Sequence, residues 1–92
     1  MIIPLDATPF QSFNVALNDN SISFDVKWNE TGQLFLVDIG KNGVNLIKGR
    51  GLHIGMDLFE NIDIDGTAIL SGNFPTPDNL GVDCELVYVD QI

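Results

Sequence analysis

The sequence predicts an all-β fold, a small antiparallel β-barrel or β-sandwich of about six or seven strands, and three observations carry that expectation. Apolar residues recur at every second position along most of the chain, which is the period of a half-buried strand rather than of a helix. Asn, Asp and Gly cluster between those runs, where tight turns need left-handed backbone. A chain of 92 residues is long enough for one hydrophobic core but not two, so one domain over 1–92 is expected, with 1–10 as an extended N-terminal arm.

The arm holds Ile2, Ile3, Leu5 and Phe10, but Pro4 and Pro9 each remove a ladder donor and bar it from a central strand. Phe13, Val15 and Leu17 alternate with polar neighbours, Asn18-Asp19-Asn20 turns the chain, and Ile22, Phe24, Val26 and Trp28 alternate against Ser23, Asp25 and Lys27. That pattern is a hairpin with one wet face. After Asn29-Glu30-Thr31-Gly32, the run Gln33 to Ile39 is apolar on both faces until Asp38, as a central strand is. Gly40-Lys41-Asn42-Gly43 turns into a short strand from Val44 to Lys48, which completes an antiparallel meander.

From Gly49 to Asp65 the pattern loosens. Met56 to Asn61 has the spacing of a single helical turn, with a lid loop as the equal alternative, and Ile62 and Ile64 form one arm of a hairpin with Thr67 to Ser71. Phe74 to Gly81 is a loop stiffened by Pro75 and Pro77, and Val82 to Val89 is the last strand, with Cys84, Leu86 and Tyr88 on one face and Glu85, Val87 and Val89 on the other. The expected core is Phe13, Val15, Ile22, Phe24, Val26, Trp28, Phe35, Val37, Leu70, Leu86 and Tyr88.

Thirteen Asp and Glu stand against Lys27, Lys41, Lys48 and Arg50, a net charge of −9. Nucleic-acid binding draws its affinity from cations neutralising phosphates, so no nucleic-acid partner is expected, and an anionic membrane surface is disfavoured for the same reason. Apolar runs such as Leu34 to Val37 fall far short of the roughly 20 residues that span a bilayer. Met1 to Asp6 has no positive region and no long apolar stretch, so a secretory signal is not expected and folding in the cytosol is. Cys84 is the sole cysteine, which leaves no internal disulfide and no cysteine-based metal cluster. Hydrophobic residues make up 45% of the chain, more than so small a domain hides, and some of that surface is expected to meet a partner.

Asn61-x-Asp63-x-Asp65-Gly66 mimics the opening of an EF-hand loop, but the twelfth position is Gly72 instead of a bidentate Glu. His53 is the only histidine, and nothing in the spacing sets it beside a serine or Cys84. Asp63 and Asp65 read as solvated charges of a hairpin, and Gly49, Gly51 and Gly55 form no phosphate-binding fingerprint. The sequence therefore predicts no enzyme, no cofactor and no metal.

The ordered set of local signatures resembles the cyanophage-type baseplate plug family of contractile-tailed bacteriophages. It runs from Ile3-Pro4-Leu5 and Gln11-Ser12-Phe13 through Val26-Lys27-Trp28-Asn29, Phe35-Leu36-Val37-Asp38-Ile39 and Leu46-Ile47-x-Gly49. It continues with Gly55-Met56-Asp57-Leu58-Phe59, Gly66-Thr67-Ala68-Ile69-Leu70, Asp78-Asn79-Leu80-Gly81 and Leu86-Val87-Tyr88-Val89. Phe35 stands where the family often has Trp. The resemblance implies a structural component of the virion's tail baseplate, assembled in the host cytoplasm. It would dock around the tail axis beside hub, tube and spike proteins, with a homo-oligomer around that axis as an option. A small acidic β-barrel that binds a ligand or protein outside phage tails is the alternative.

The residues themselves nominate the contact surface. An arm with four large apolar residues is poorly suited to water, and a neighbour can bury it by strand addition; Phe74 and Leu80 flank two prolines that lower the entropy lost on docking. Ile2, Ile3, Leu5, Phe10, Phe74, Pro75, Pro77 and Leu80 are thus the expected interface, the competing reading being an arm folded back over its own barrel.

Overall fold

Two short left-handed turns build the larger of two sheets. Asn18 and Asp19 take φ of 50° and 64°, and Asn42 and Gly43 take 51° and 86°; this two-residue hairpin backbone matches the twist of its strands, and Asn, Asp and Gly tolerate it. In the computed structural model, which describes residues 1–90, seven strands follow in order: β1 (Ile2–Ile3), β2 (Phe10–Leu17), β3 (Asn20–Asn29), β4 (Leu34–Lys41), β5 (Val44–Gly51), β6 (Thr67–Gly72) and β7 (Cys84–Val89). All strand pairs are antiparallel, and the sheets run β2-β3-β4-β5 and β1-β7-β6. The all-β expectation holds as a two-sheet sandwich; the sheets do not close into a barrel.

The larger sheet buries Ile22, Phe24 and Val26 of β3 and Phe35, Val37 and Ile39 of β4 on one face. Its other face carries the polar row Ser12, Asp25 and Asp38, aligned across three strands. β5 outlasts the expected Lys48 because it absorbs a bulge, in which Gly49 at φ 70° donates its N–H to Asp38 Oδ1 at 2.7 Å. The smaller sheet faces it with Ile3, Ala68, Leu70, Leu86 and Tyr88.

The chain passes between the sheets along both edges, through Pro4–Pro9 from β1 to β2 and through residues 52–66 from β5 to β6. The second passage is laced to both sheets. Leu52 N–H donates to Phe35 O at 3.0 Å on one side, while Gly55 N–H donates to Leu70 O at 2.9 Å and Leu58 N–H to Ala68 O at 2.8 Å on the other. Asp57 Oδ1 accepts the amides of Phe59 and Ala68, each at 2.9 Å, and Arg50 Nη1 donates to the carbonyls of Leu58 at 3.0 Å and Glu60 at 2.6 Å. This clamp turns Phe59 inward, where its ring lies 6.1 Å from Phe24 and 6.0 Å from Tyr88.

Several expectations need correction. Met56 to Asn61 forms turns and no helix. Ile62 and Ile64 alternate like a strand but are not one, because the β6 edge they would need is already occupied at Ile54 and Asp57. The last strand starts at Cys84, two residues later than Val82. Phe13, Val15 and Trp28 are only half-buried; Trp28 sits near the end of β3, its indole N–H reaching Glu30 Oε2 at 2.8 Å and its ring meeting Phe35 edge-on at 5.0 Å.

Replacing Phe35, 0% exposed, with Ala is expected to cost about 3–5 kcal/mol in denaturant unfolding, and Trp28→Ala less than that. Equal losses would contradict the burial difference. Asp57→Ala leaves two half-buried amides without an acceptor and is expected to cost about 1–3 kcal/mol; an unchanged unfolding midpoint would show that the clamp is dispensable.

Candidate interface

The eight residues nominated from sequence separate into distinct environments. Ile3 is 1% exposed, Leu80 0%, and Pro75 is likewise enclosed, so burial removes these three from the accessible surface. Leu5 and Pro77 are half-buried, and only Ile2 at 54%, Phe10 at 54% and Phe74 at 59% present large apolar surface. Ile2 and Phe10 do not share a patch. Phe10 pairs with Lys27 on the outer face of the larger sheet, beneath its ammonium at 5.8 Å, whereas Ile2 lies on the outer face of the smaller one.

The arm is held by its own domain. β1 pairs with β7, Tyr88 N–H donates to Met1 O at 2.8 Å, and Ile3 enters the core. Gly81, at φ 82°, lies so close to the Leu5 carbonyl that a Cβ there would collide with it. The loop before β7 is folded just as firmly around Asn79. Its Oδ1 accepts Thr76 N–H at 2.8 Å, its Nδ2 donates to Phe74 O at 2.9 Å, and its carbonyl accepts the amides of Val82 and Asp83. That closure turns Pro75, Leu80 and Cys84 inward; burial pushes the Cys84 thiol pKa up.

The register of the smaller sheet exposes a surface that the sequence reading passed over. Ile2, Val87 and Ile69 lie side by side across β1, β7 and β6, on the face opposite the buried Ile3, Leu86 and Leu70. Val89, 59% exposed, extends the row along β7. The available signal was that Leu86 to Val89 is apolar on both faces, the pattern of a strand covered twice.

Charge divides along the same line. From Phe10 to Gly51, Asp19, Asp25, Glu30 and Asp38 balance all four cations. The entire net charge of −9 therefore falls on the arm, the 52–66 passage, the smaller sheet and its loop, through Asp6, Asp57, Glu60, Asp63, Asp65, Asp78, Asp83, Glu85 and Asp90. Glu85 lies on the apolar face itself, and a cleft beside Val89 is lined by Asp57, Glu60 and Asp90. Among the described residues no three His, Cys, Asp or Glu side chains converge on a common point. Asp63 instead faces Lys41 at 3.5 Å, and the Asp65 carbonyl accepts the Tyr88 hydroxyl at 3.0 Å.

The family described as cyanophage baseplate Pam3 plug gp18 matches residues 1–91. No curated protein matches the chain.

An arm integrated into the fold has a measurable consequence. Ile3→Ala is expected to cost about 2–5 kcal/mol, and deletion of Met1–Leu5 at least as much; a truncated domain that keeps the full-length melting temperature would show that β1 contributes nothing to stability.

Proposed function

Because the chain belongs to the cyanophage baseplate plug family and is a structural component of a phage tail baseplate, we propose that it docks there through the outer face of its smaller sheet. The observation that carries this reading is the apolar row of Ile2, Val87, Ile69 and Val89 on the half of the molecule that bears the whole net charge. An apolar strip surrounded by carboxylates complements a neighbour with an apolar centre and a Lys- or Arg-rich rim, since opposite charge steers docking and apolar burial holds it. Hub, tube and spike proteins around the tail axis are the partners in this reading, met in the host cytoplasm during assembly, and the chain contributes no catalysis. Two copies would not pair through this face, because their carboxylates would oppose one another; any ring of copies uses other surfaces. Phe74, exposed on the loop before β7, is a further contact in this reading.

The double variant Ile2→Lys with Val89→Lys tests it, since both side chains are more than half exposed and the fold should tolerate the change. Co-expressed with the hub, tube and spike proteins of the same phage, it is expected to enter the assembly at least about tenfold less than wild type, while Asn45→Lys on the larger sheet enters normally. Association of the wild-type chain is expected to slow as salt rises. Normal incorporation of the double variant would refute the docking face.

A further inference from the structure

Four sheet edges exist in this fold, and three of them are protected against pairing. β1 is two residues long and stops at Pro4. The β6 edge is covered at Ile54 and Asp57. β5 carries a bulge, Gly49, Lys48 and Arg50. These are the usual devices that keep an edge strand from recruiting another chain. β2 is approached by the arm only near its start, where the Asp6 backbone exchanges two hydrogen bonds with the Gln11 side chain at 3.0 and 2.9 Å. Its eight residues, Phe10 to Leu17, hold no charge, no proline and no bulge, and every one pairs in regular register with β3.

The hydrogen-bond phase shows which groups face outward. Trp28 N–H donates to Pro9 O at 2.7 Å, which makes Pro9 and Trp28 a bonded pair. Bonded and non-bonded pairs alternate along an antiparallel ladder, so the amides and carbonyls of Phe10, Ser12, Asn14 and Ala16 point away from β3. The Phe10 carbonyl takes the Thr8 hydroxyl at 3.3 Å; among the described residues, nothing pairs with the outward amides of Ser12, Asn14 and Ala16. A groove of about 270 Å³ runs beside them, bordered by Pro4, Asp6, Phe13 and Val15.

We propose that β2 accepts an extended, cation-bearing segment of a neighbouring protein as a fifth strand of the larger sheet. The backbone supplies the hydrogen bonds, and the half-buried Phe13 and Val15 supply apolar contact on the inner side. Charge selects the occupant. Residues 1–26 contain Asp6, Asp19 and Asp25 and no Lys or Arg. Antiparallel pairing of β2 with a second copy would bring the Asp6 end of each strand beside the Asp19 end of the other, whereas a segment with Lys or Arg gains beside both carboxylates. The nearby cation, Lys27 of β3, is engaged over the Phe10 ring at 5.8 Å. This site lies apart from the outer face of the smaller sheet and rests on the baseplate reading only for where the segment comes from.

Hydrogen–deuterium exchange tests the proposal, on the isolated chain and on the assembly with co-expressed hub, tube and spike proteins. The amides of Ser12, Asn14 and Ala16 are expected to exchange at least about tenfold more slowly in the assembly. Asn14→Pro removes one outward donor and no ladder bond, so it should keep the wild-type melting temperature yet lose that protection and enter the assembly at least about tenfold less. Should that variant misfold, Asn14→Lys blunts the edge without fixing φ and is expected to show the same loss. Unprotected amides in a chain that is nevertheless incorporated would overturn the strand addition and leave the baseplate reading intact. A chain that sediments alone as a dimer with those amides protected would overturn the choice of occupant. Failure of the wild-type chain to enter the assembly would overturn both.

Discussion

The sandwich depends on the wedge made by Phe59, a side chain from the passage between the sheets rather than from either sheet. Phe13 stacks on Phe24 at 5.2 Å, Phe24 meets Phe59 at 6.1 Å, and Phe59 meets Tyr88 at 6.0 Å, so one line of aromatic contacts crosses from β2 to β7. Without that ring the apolar faces of a four-stranded and a three-stranded sheet would meet across a void, and a gap of that size forfeits dispersion contacts on both sides. The polar clamp around it follows from the same need. A turn buried this deeply must satisfy its own amides and carbonyls, and Asp57 and Arg50 do so from opposite sides. A second tie at the far end, where the Asn18 amide donates to the Tyr88 hydroxyl at 2.9 Å, fixes the first hairpin tip to the smaller sheet.

With the interior committed in this way, the two outer faces are free to differ. The outer face of the larger sheet mixes a polar row, with the Ser12 hydroxyl bonded to the Asp25 carboxylate and Asp38 capping the bulge, with Phe10 and Leu36 around Lys27. The smaller sheet turns out isoleucine and valine instead, on the acidic half of the chain. A small domain cannot bury every apolar side chain; part of the surplus, Ile2 and Val89 beside the half-buried Val87 and Ile69, lines up on the smaller sheet, while Phe10, Val44, Ile54, Met56, Phe74 and Val82 are exposed elsewhere. In the docking proposed above, the outer face of the larger sheet stays in water and that of the smaller sheet is covered by a neighbour.

The sequence by itself determined the fold class, the meander, the turns at Asn18-Asp19 and Asn42-Gly43, the central position of β4 and the family, because each is written in local alternation, in turn chemistry or in an ordered set of short signatures. It also determined the sign and size of the charge. What it left open is everything that depends on which edges the chain joins. Period two says that a strand has two faces but not whether its sheet closes on itself, so barrel and sandwich were equally legible until the 52–66 passage was seen to bind β4 on one side and β6 on the other. The same passage decided that Phe59 is core and that Ile62 and Ile64 are not a strand, since its own backbone had already filled the edge they would have used. The arm and the proline loop look like free apolar segments in one dimension; only the tertiary structure places Ile3 against β7 and closes Pro75 and Leu80 around Asn79. The apolar strip of Ile2, Val87 and Ile69 belongs to the tertiary structure for the same reason, because its members come from three separate strands that cross-strand register alone aligns.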